Sequence, residues 1–197
     1  MTGRQPLAGM RIAVIGGGLI GLSIAWRLNQ RGANLWLFES GETGQGASFA
    51  AAGMLSVVAE AEPSEPRFFA LCRNSRRRWP EFAAELQAAS GLQVDLREQG
   101  TLLVARNAQE EAELASRASA HDGDGTLHRL PPREWRQIEP DLNPAVRAVY
   151  LAPEDGQVDN RAVLQALAQS AAAAGVQLRC NTQVTRLLAT DGRITGL

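Results

Sequence analysis

Gly16, Gly18 and Gly21 stand in the spacing G-x-G-x-x-G, and Glu39 follows at close to the about 20 residues that separate such a turn from a ribose-binding acid. These residue types suit one task, holding the pyrophosphate of a dinucleotide. Glycine at 16 permits a tight turn, glycine at 18 lets phosphate approach the backbone, and glycine at 21 lets a helix lie close to a strand. A helix starting there offers its first N–H groups and a partial positive charge to the phosphates, worth about 0.3 to 2 kcal/mol. The Glu39 carboxylate would accept hydrogen bonds from ribose hydroxyls, each about 1.5 to 3 kcal/mol when charge-assisted. It would also repel a 2′-phosphate. The competing reading is a glycine-rich turn with no ligand.

The elements around the motif favour the ligand. Arg11 to Ile15 is an apolar run that reads as a buried parallel strand. Ile20, Ile24 and Leu28 recur at helical spacing, as on the apolar face of a helix that Gly32 ends. Leu35 to Phe38 reads as the next strand, closed by Glu39. Strand, helix and strand together have the size of one βαβ unit.

Further along, Gly41 to Gly53 is rich in Gly, Ala and Ser, a composition that lets backbone lie against a ligand. A helix is expected from Arg67 to Ala89, broken near Pro80, with Leu71, Trp79, Phe82 and Leu86 as its buried face. Gln93 to Arg106 reads as two strands joined at Gln99-Gly100. Ala108 to Ala118 and Pro131 to Ile138 read as helices, with a loop from His121 to Gly125. Asp159 is placed to cap a helix carrying Val163, Leu164, Leu167, Ala168 and Ala171, and Gly175 stops it. Val176 to Arg179 reads as a strand. Gln183 to Thr190 reads as another, turning at Asp191-Gly192 into a strand from Arg193. A sheet ending there would leave an edge uncovered, so the expected architecture is larger than the sequence.

Composition narrows the class. Of 197 residues, 45% are hydrophobic and 21% charged, with a net charge of −1, which gives no general attraction to nucleic acid or anionic lipid. The local cluster Arg73, Arg76, Arg77 and Arg78 reads as a solvated helix face, with a phosphate or partner contact as the minority reading. Cys72 and Cys180 stand outside any CxxC or metal spacing, which fits a reducing compartment. The first ten residues lack the apolar stretch of a signal peptide. No apolar run is long enough to cross a bilayer, so the expected location is cytoplasmic.

From Gly46 the chain reads GASFAAAGML, with Glu60 shortly after, and from Asp155 it reads DGQVDNRAVLQAL. Together with the glycine motif, these runs resemble the glycine oxidase branch, linked to thiamine biosynthesis, of the D-amino-acid oxidase family of FAD-dependent oxidoreductases. The resemblance runs from Arg11 to Leu197. It implies an α/β fold in which a Rossmann-like FAD-binding domain of the glutathione-reductase type occupies residues 8–91 and 152–197. The start of an inserted, mostly β substrate domain would occupy 92–151, and the whole would be truncated at its C-terminus. The cofactor contacts it implies are Gly16, Gly18, Leu19, Ile20, Gly21, Glu39, Ser40, Ala47, Ser48, Ala52, Gly53, Met54 and Val184, the last meeting the adenine through its backbone.

The chemistry implied is oxidative deamination of glycine or a similar small amino acid or amine. A hydride passes from the α-carbon to the flavin, the imine hydrolyses, and O2 reoxidises the flavin to give hydrogen peroxide. The cofactor carries this reaction and the protein orients it, so no side chain here is assigned as catalytic. His121 and His128 are read as non-catalytic. In relatives an arginine in the second half of the chain grips the substrate carboxylate, and a late glycine-rich segment closes over the flavin. Neither is expected before Leu197, and Tyr150 is the sole tyrosine. Relatives suggest a homo-oligomer. Two other readings stay open, a non-catalytic nucleotide-binding fragment or subunit that needs a partner, and an NAD-dependent dehydrogenase.

Overall fold

A computed structural model of the chain describes residues 7–60, 65–120 and 127–197. In chain order its elements are β1 (Arg11–Ile15), α1 (Leu19–Gln30), β2 (Asn34–Phe38), α2 (Ala47–Ala50), β3 (Met54–Leu55), α3 (Pro66–Arg77), α4 (Trp79–Ser90), β4 (Thr101–Ala105) and α5 (Ala108–Ala120). There follow β5 (His128–Leu130), α6 (Pro132–Ile138), β6 (Ala148–Ala152), β7 (Gly156–Gln157), α7 (Asn160–Ala173), β8 (Gln177–Arg179), β9 (Leu188–Thr190) and β10 (Arg193–Gly196). The loop expected at His121 to Gly125 lies outside the described residues.

By contacts the chain divides into two units, one of Met1–Ala52, Ala83–Asp95 and Asp159–Leu197, the other of Gly53–Phe82 and Leu96–Val158. The boundaries read from sequence are 92 and 151. Residues 53–82, read there with the first domain, group instead with 96–158.

The first unit is built on a parallel sheet of order β1-β2-β8. β1 pairs with β2 from Arg11↔Asn34 to Ile15↔Phe38, and β2 pairs with β8 from Trp36↔Gln177 to Phe38↔Arg179. Leu35 and Leu37 of β2 are buried, as are Val163, Leu164, Leu167 and Ala171 of α7, which packs against α1. Asp159 caps α7 as expected, its carboxylate accepting from the N–H groups of Arg161 and Ala162 at 3.0 Å each.

The face of α1 differs from expectation. Ile20 is 75% exposed and Ile24 45%, while Leu22, Ala25 and Trp26 are buried. Gly21 fixes the rotation. A Cβ added there would lie 1.9 Å from the Gly16 carbonyl oxygen, so this one position lets α1 approach the strand end. Residues on its stripe turn inward with it, and the four-residue recurrence of Ile20 and Ile24 falls on another side.

The hairpin of β9 and β10 forms at the expected turn, with Asp191 and Gly192 both at positive φ, as a two-residue I′ turn requires. The long strand expected over Gln183 to Thr190 shrinks to Leu188–Thr190. Its partner β10 has four residues, so Gln183 to Leu187 find no ladder in it.

The second unit holds an antiparallel sheet of order β4-β6-β5 and a short antiparallel pair, β3 with β7. Its core gathers Val57, Val58, Ala105, Leu114, Leu127, Ala148, Tyr150 and Ala152. Tyr150 is therefore a packing residue. The first strand expected between Gln93 and Gly100 reduces to one bridge, Arg97 to Gln157, where the two backbones exchange bonds at 2.8 and 3.0 Å, and to a single further bond from the Asp159 N–H to the Val94 carbonyl at 3.2 Å. The helix break near Pro80 is real, α3 ending at Arg77 and α4 starting at Trp79. The common buried face is not. Leu71 is 64% exposed while Leu86 is fully buried, since one stripe cannot continue across two helices with separate axes. The arginine cluster also divides. Arg73 pairs with Glu154 and the buried Arg76 with Glu98, leaving Arg77 and Arg78 exposed.

Asp155 anchors this unit. It is fully buried, and its carboxylate accepts from the N–H groups of Val57, Val58 and Ala59 at 2.7, 2.9 and 3.1 Å. The Ser56 hydroxyl lies at 3.4 Å. A buried carboxylate is tolerated there because backbone donors replace water around it.

Candidate cofactor-binding site

Three segments of the first unit meet at the N-terminus of α1. The turn Gly16–Gly18 leaves β1 with Gly16 at φ +101°, a conformation open to glycine. The Gly16 N–H donates to the Phe38 carbonyl at 2.8 Å, which ties the turn to the end of β2. α1 then begins at Leu19 with no side-chain cap from Gly18. The Ser48 hydroxyl, brought in on α2, accepts the Leu19 N–H at 3.0 Å instead. A Cβ on Gly18 would lie 3.0 Å from that hydroxyl oxygen, so the space beside Gly18 exists only because the residue is glycine.

Glu39 closes β2 and turns back onto the glycines. Its carboxylate accepts from the N–H of Gly17 at 2.7 Å, from the N–H of Gly41 at 3.0 Å and from the Ser40 hydroxyl at 3.0 Å. The Gly41 amide foremost, then the Gly17 amide, hold the carboxyl below the ordinary carboxylate range; desolvation opposes them, and Ser40 adds a smaller lowering. The group is therefore ionised at neutral pH and fixed in direction before any ligand arrives.

Gly17 is the site residue that the motif does not mark. It is buried, and a Cβ there would meet Thr43 Cγ2 at 2.9 Å and Glu39 Cβ at 3.1 Å. Its carbonyl accepts the Gly44 N–H at 2.8 Å. The run of three glycines was the available signal. The chain after β8 also returns to this place. Thr182 N–H donates to the Glu39 carbonyl at 2.8 Å and Asn181 N–H to the Gly41 carbonyl at 2.9 Å. Val184 follows half-buried, outside any strand, where a strand had been expected.

Of the residues expected to contact a cofactor, Gly16, Gly18, Leu19, Ile20, Gly21, Glu39, Ser40, Ala47, Ser48 and Ala52 lie in the first unit, as does Val184. Gly53 and Met54 open the second, where Gly53 accepts the Val158 N–H at 2.9 Å and Met54 pairs with Gln157. His128 is exposed on β5, and His121 lies outside the described residues. Among the described residues, no group of His, Cys, Asp or Glu is arranged to hold a metal ion, and no helix is long and apolar enough to cross a membrane.

A glycine turn, a helix N-terminus and a fixed acid at the end of the second strand are the parts from which dinucleotide sites are built, and comparison with known families says which dinucleotide the family takes. The family model for FAD dependent oxidoreductases, DAO, matches residues 11–197. The chain belongs to the DAO family. Its cofactor is thus FAD. Among curated DAO relatives, the glycine oxidase of Geobacillus kaustophilus is 35% identical over 175 residues, covering 88% of this chain and 46% of that protein. The bifunctional protein ThiO/ThiG of Trichormus variabilis is 32% identical over 186 residues, covering 94% of this chain and 28% of that protein. The crystal structure of the Geobacillus kaustophilus glycine oxidase superposes with a TM-score of 0.85 at 35% identity, covering 91% of this chain and 49% of that one. The chain thus spans less than half the length of these curated relatives.

Proposed function

We propose that the first unit binds the ADP portion of FAD and serves an oxidase of glycine or a similar small amino acid or amine. The observation that carries the reading is the Glu39 carboxylate, held by Gly17 and Gly41 beside the open end of α1. One acid with fixed oxygens suits the two ribose hydroxyls, and its charge disfavours a 2′-phosphate. Gly16, Gly18 and Gly21 leave room for the pyrophosphate. Leu19, Ile20 and Ser48 stand at the helix start that would meet it, and Ser40, Ala47, Ala52 and Val184 complete the set in this unit. The assignment of Gly53 and Met54 to the cofactor rests on the resemblance alone.

FAD, when bound, supplies the two-electron acceptor for an amine C–H and passes the electrons to O2, giving hydrogen peroxide. The protein's part is to bind and orient. The glycine oxidase and ThiO/ThiG relatives support a small amino-acid substrate and a link to thiamine biosynthesis. The test is to purify the chain, titrate it with FAD and assay peroxide with glycine. Flavin uptake with peroxide formation is the expected result. Flavin uptake without turnover supports the second reading, a cofactor-binding portion that needs further residues, which the coverage of relatives by less than half also favours. A chain that stays colourless in excess FAD would refute both.

A further inference from the structure

The Ser48 hydroxyl that meets α1 rides on a helix that cannot hold itself in place. α2 has four residues and buries none of them. A helix so short gains little from its own hydrogen bonds, and its last carbonyls have no partners within it. The first turn of α7 supplies what is missing. The Asn160 side-chain amide donates to the Ser48 carbonyl at 2.7 Å and to the Phe49 carbonyl at 3.2 Å. The Arg161 guanidinium lies over the Phe49 ring, 4.3 Å from its centroid, a cation–π contact. Asp159 fixes both residues by capping their helix, and the buried Val163, Leu164 and Leu167 root that helix in the core. Leu164 also backs the preceding loop, since a Cβ on Gly44 would lie 3.3 Å from its Cβ.

We infer that Asn160 and Arg161 are positioning residues for the pyrophosphate end of the cofactor, acting through Ser48. They clamp α2 to the rooted helix α7, and this holds the Ser48 hydroxyl against the Leu19 N–H, where it can turn its own proton toward a phosphate oxygen. The inference rests on the reading that the start of α1 receives the phosphates of FAD. The side chains of Asn160 and Arg161 reach α2 but are not assigned any contact with the cofactor.

The test uses the full chain with Asn160→Asp, a variant of equal shape without the amide donors. Aspartate in the first turn suits the helix dipole, so α7 remains folded and the melting temperature stays near that of the parent. Amide hydrogen exchange without ligand reads the clamp, and FAD titration reads its consequence. Exchange at Leu19 and at Phe49 to Ala51 should speed up about tenfold, and FAD binding should weaken about tenfold, the change that 1.4 kcal/mol produces. Asn160→Gln, which keeps the amide, should recover part of both. Parent exchange rates at Leu19 and Phe49 in the Asp variant would overturn the clamp. Faster exchange with unchanged FAD affinity would overturn its role toward the cofactor. A parent chain that takes up no FAD at all would instead overturn the reading of the cradle, and the inference with it.

Discussion

Replacing Glu39 by alanine separates the two tasks of its carboxylate. In the folded chain it accepts the N–H of the buried Gly17 at 2.7 Å. Without it that donor has no acceptor and no ready access to water, a loss of about 1 to 3 kcal/mol. Ser40 is exposed and can turn to solvent, so its share is small. For a chain of this length each kcal/mol moves the melting temperature by about 2 to 4 °C, so Glu39→Ala should melt about 2 to 12 °C lower. The sign with pH is fixed by the lowered folded-state pKa. The stabilisation is fully present above the ordinary carboxylate pKa and is lost as pH falls through the lowered folded value. The gap between parent and variant should therefore be largest at neutral pH and close in acid. FAD binding should fall by at least about tenfold, since one lost charge-assisted bond already exceeds about 1.4 kcal/mol. Thermal melts across pH, paired with FAD titration, measure both. A variant that melts with the parent at neutral pH would show that the carboxylate does not hold the glycine turn.

Three other outcomes follow from the geometry. Gly18→Val drives a side chain to within 3.0 Å of the Ser48 hydroxyl and should abolish flavin uptake while circular dichroism stays that of the parent; normal uptake would misplace the phosphates. Gly21→Ala puts a methyl 1.9 Å from the Gly16 carbonyl oxygen, and pushing α1 away should cost about 1 to 3 kcal/mol, read from chemical unfolding. Asp155→Asn turns one acceptor oxygen into a donor facing backbone N–H groups. It should cost about 1.5 to 3 kcal/mol for each charge-assisted bond lost, seen as a lower urea midpoint with the slope unchanged.

The βαβ unit was legible in the chain because its demands are local. Gly16, Gly18 and Gly21 answer to a turn and a close approach set within a few residues, and Glu39 ends the strand that those residues precede. The cap at Asp159, the I′ turn at Asp191-Gly192 and the break near Pro80 are local in the same sense, each fixed by backbone dihedrals or a nearby donor. The runs GASFAAAGML and DGQVDNRAVLQAL carried the family, because descent is written in residue identity.

Other features needed the chain folded. The rotation of α1, which exposes Ile20 and Ile24, is decided by the contact of Gly21 with Gly16, and apolar spacing does not say which of two stripes will face the sheet. Strands β3, β5, β6 and β7 exist through partners distant in sequence. Asp155 meets its three N–H groups nearly a hundred residues away, at Val57, Val58 and Ala59. The same holds at the cradle. The sequence determined that a glycine turn and an acid would stand at the spacing a dinucleotide site uses. The tertiary structure decided that Gly17 makes the acid's shortest backbone contact, and that Ser48, tethered by Asn160, accepts the Leu19 N–H at the start of α1. Those contacts join segments whose approach depends on packing, and packing is a property of the whole unit.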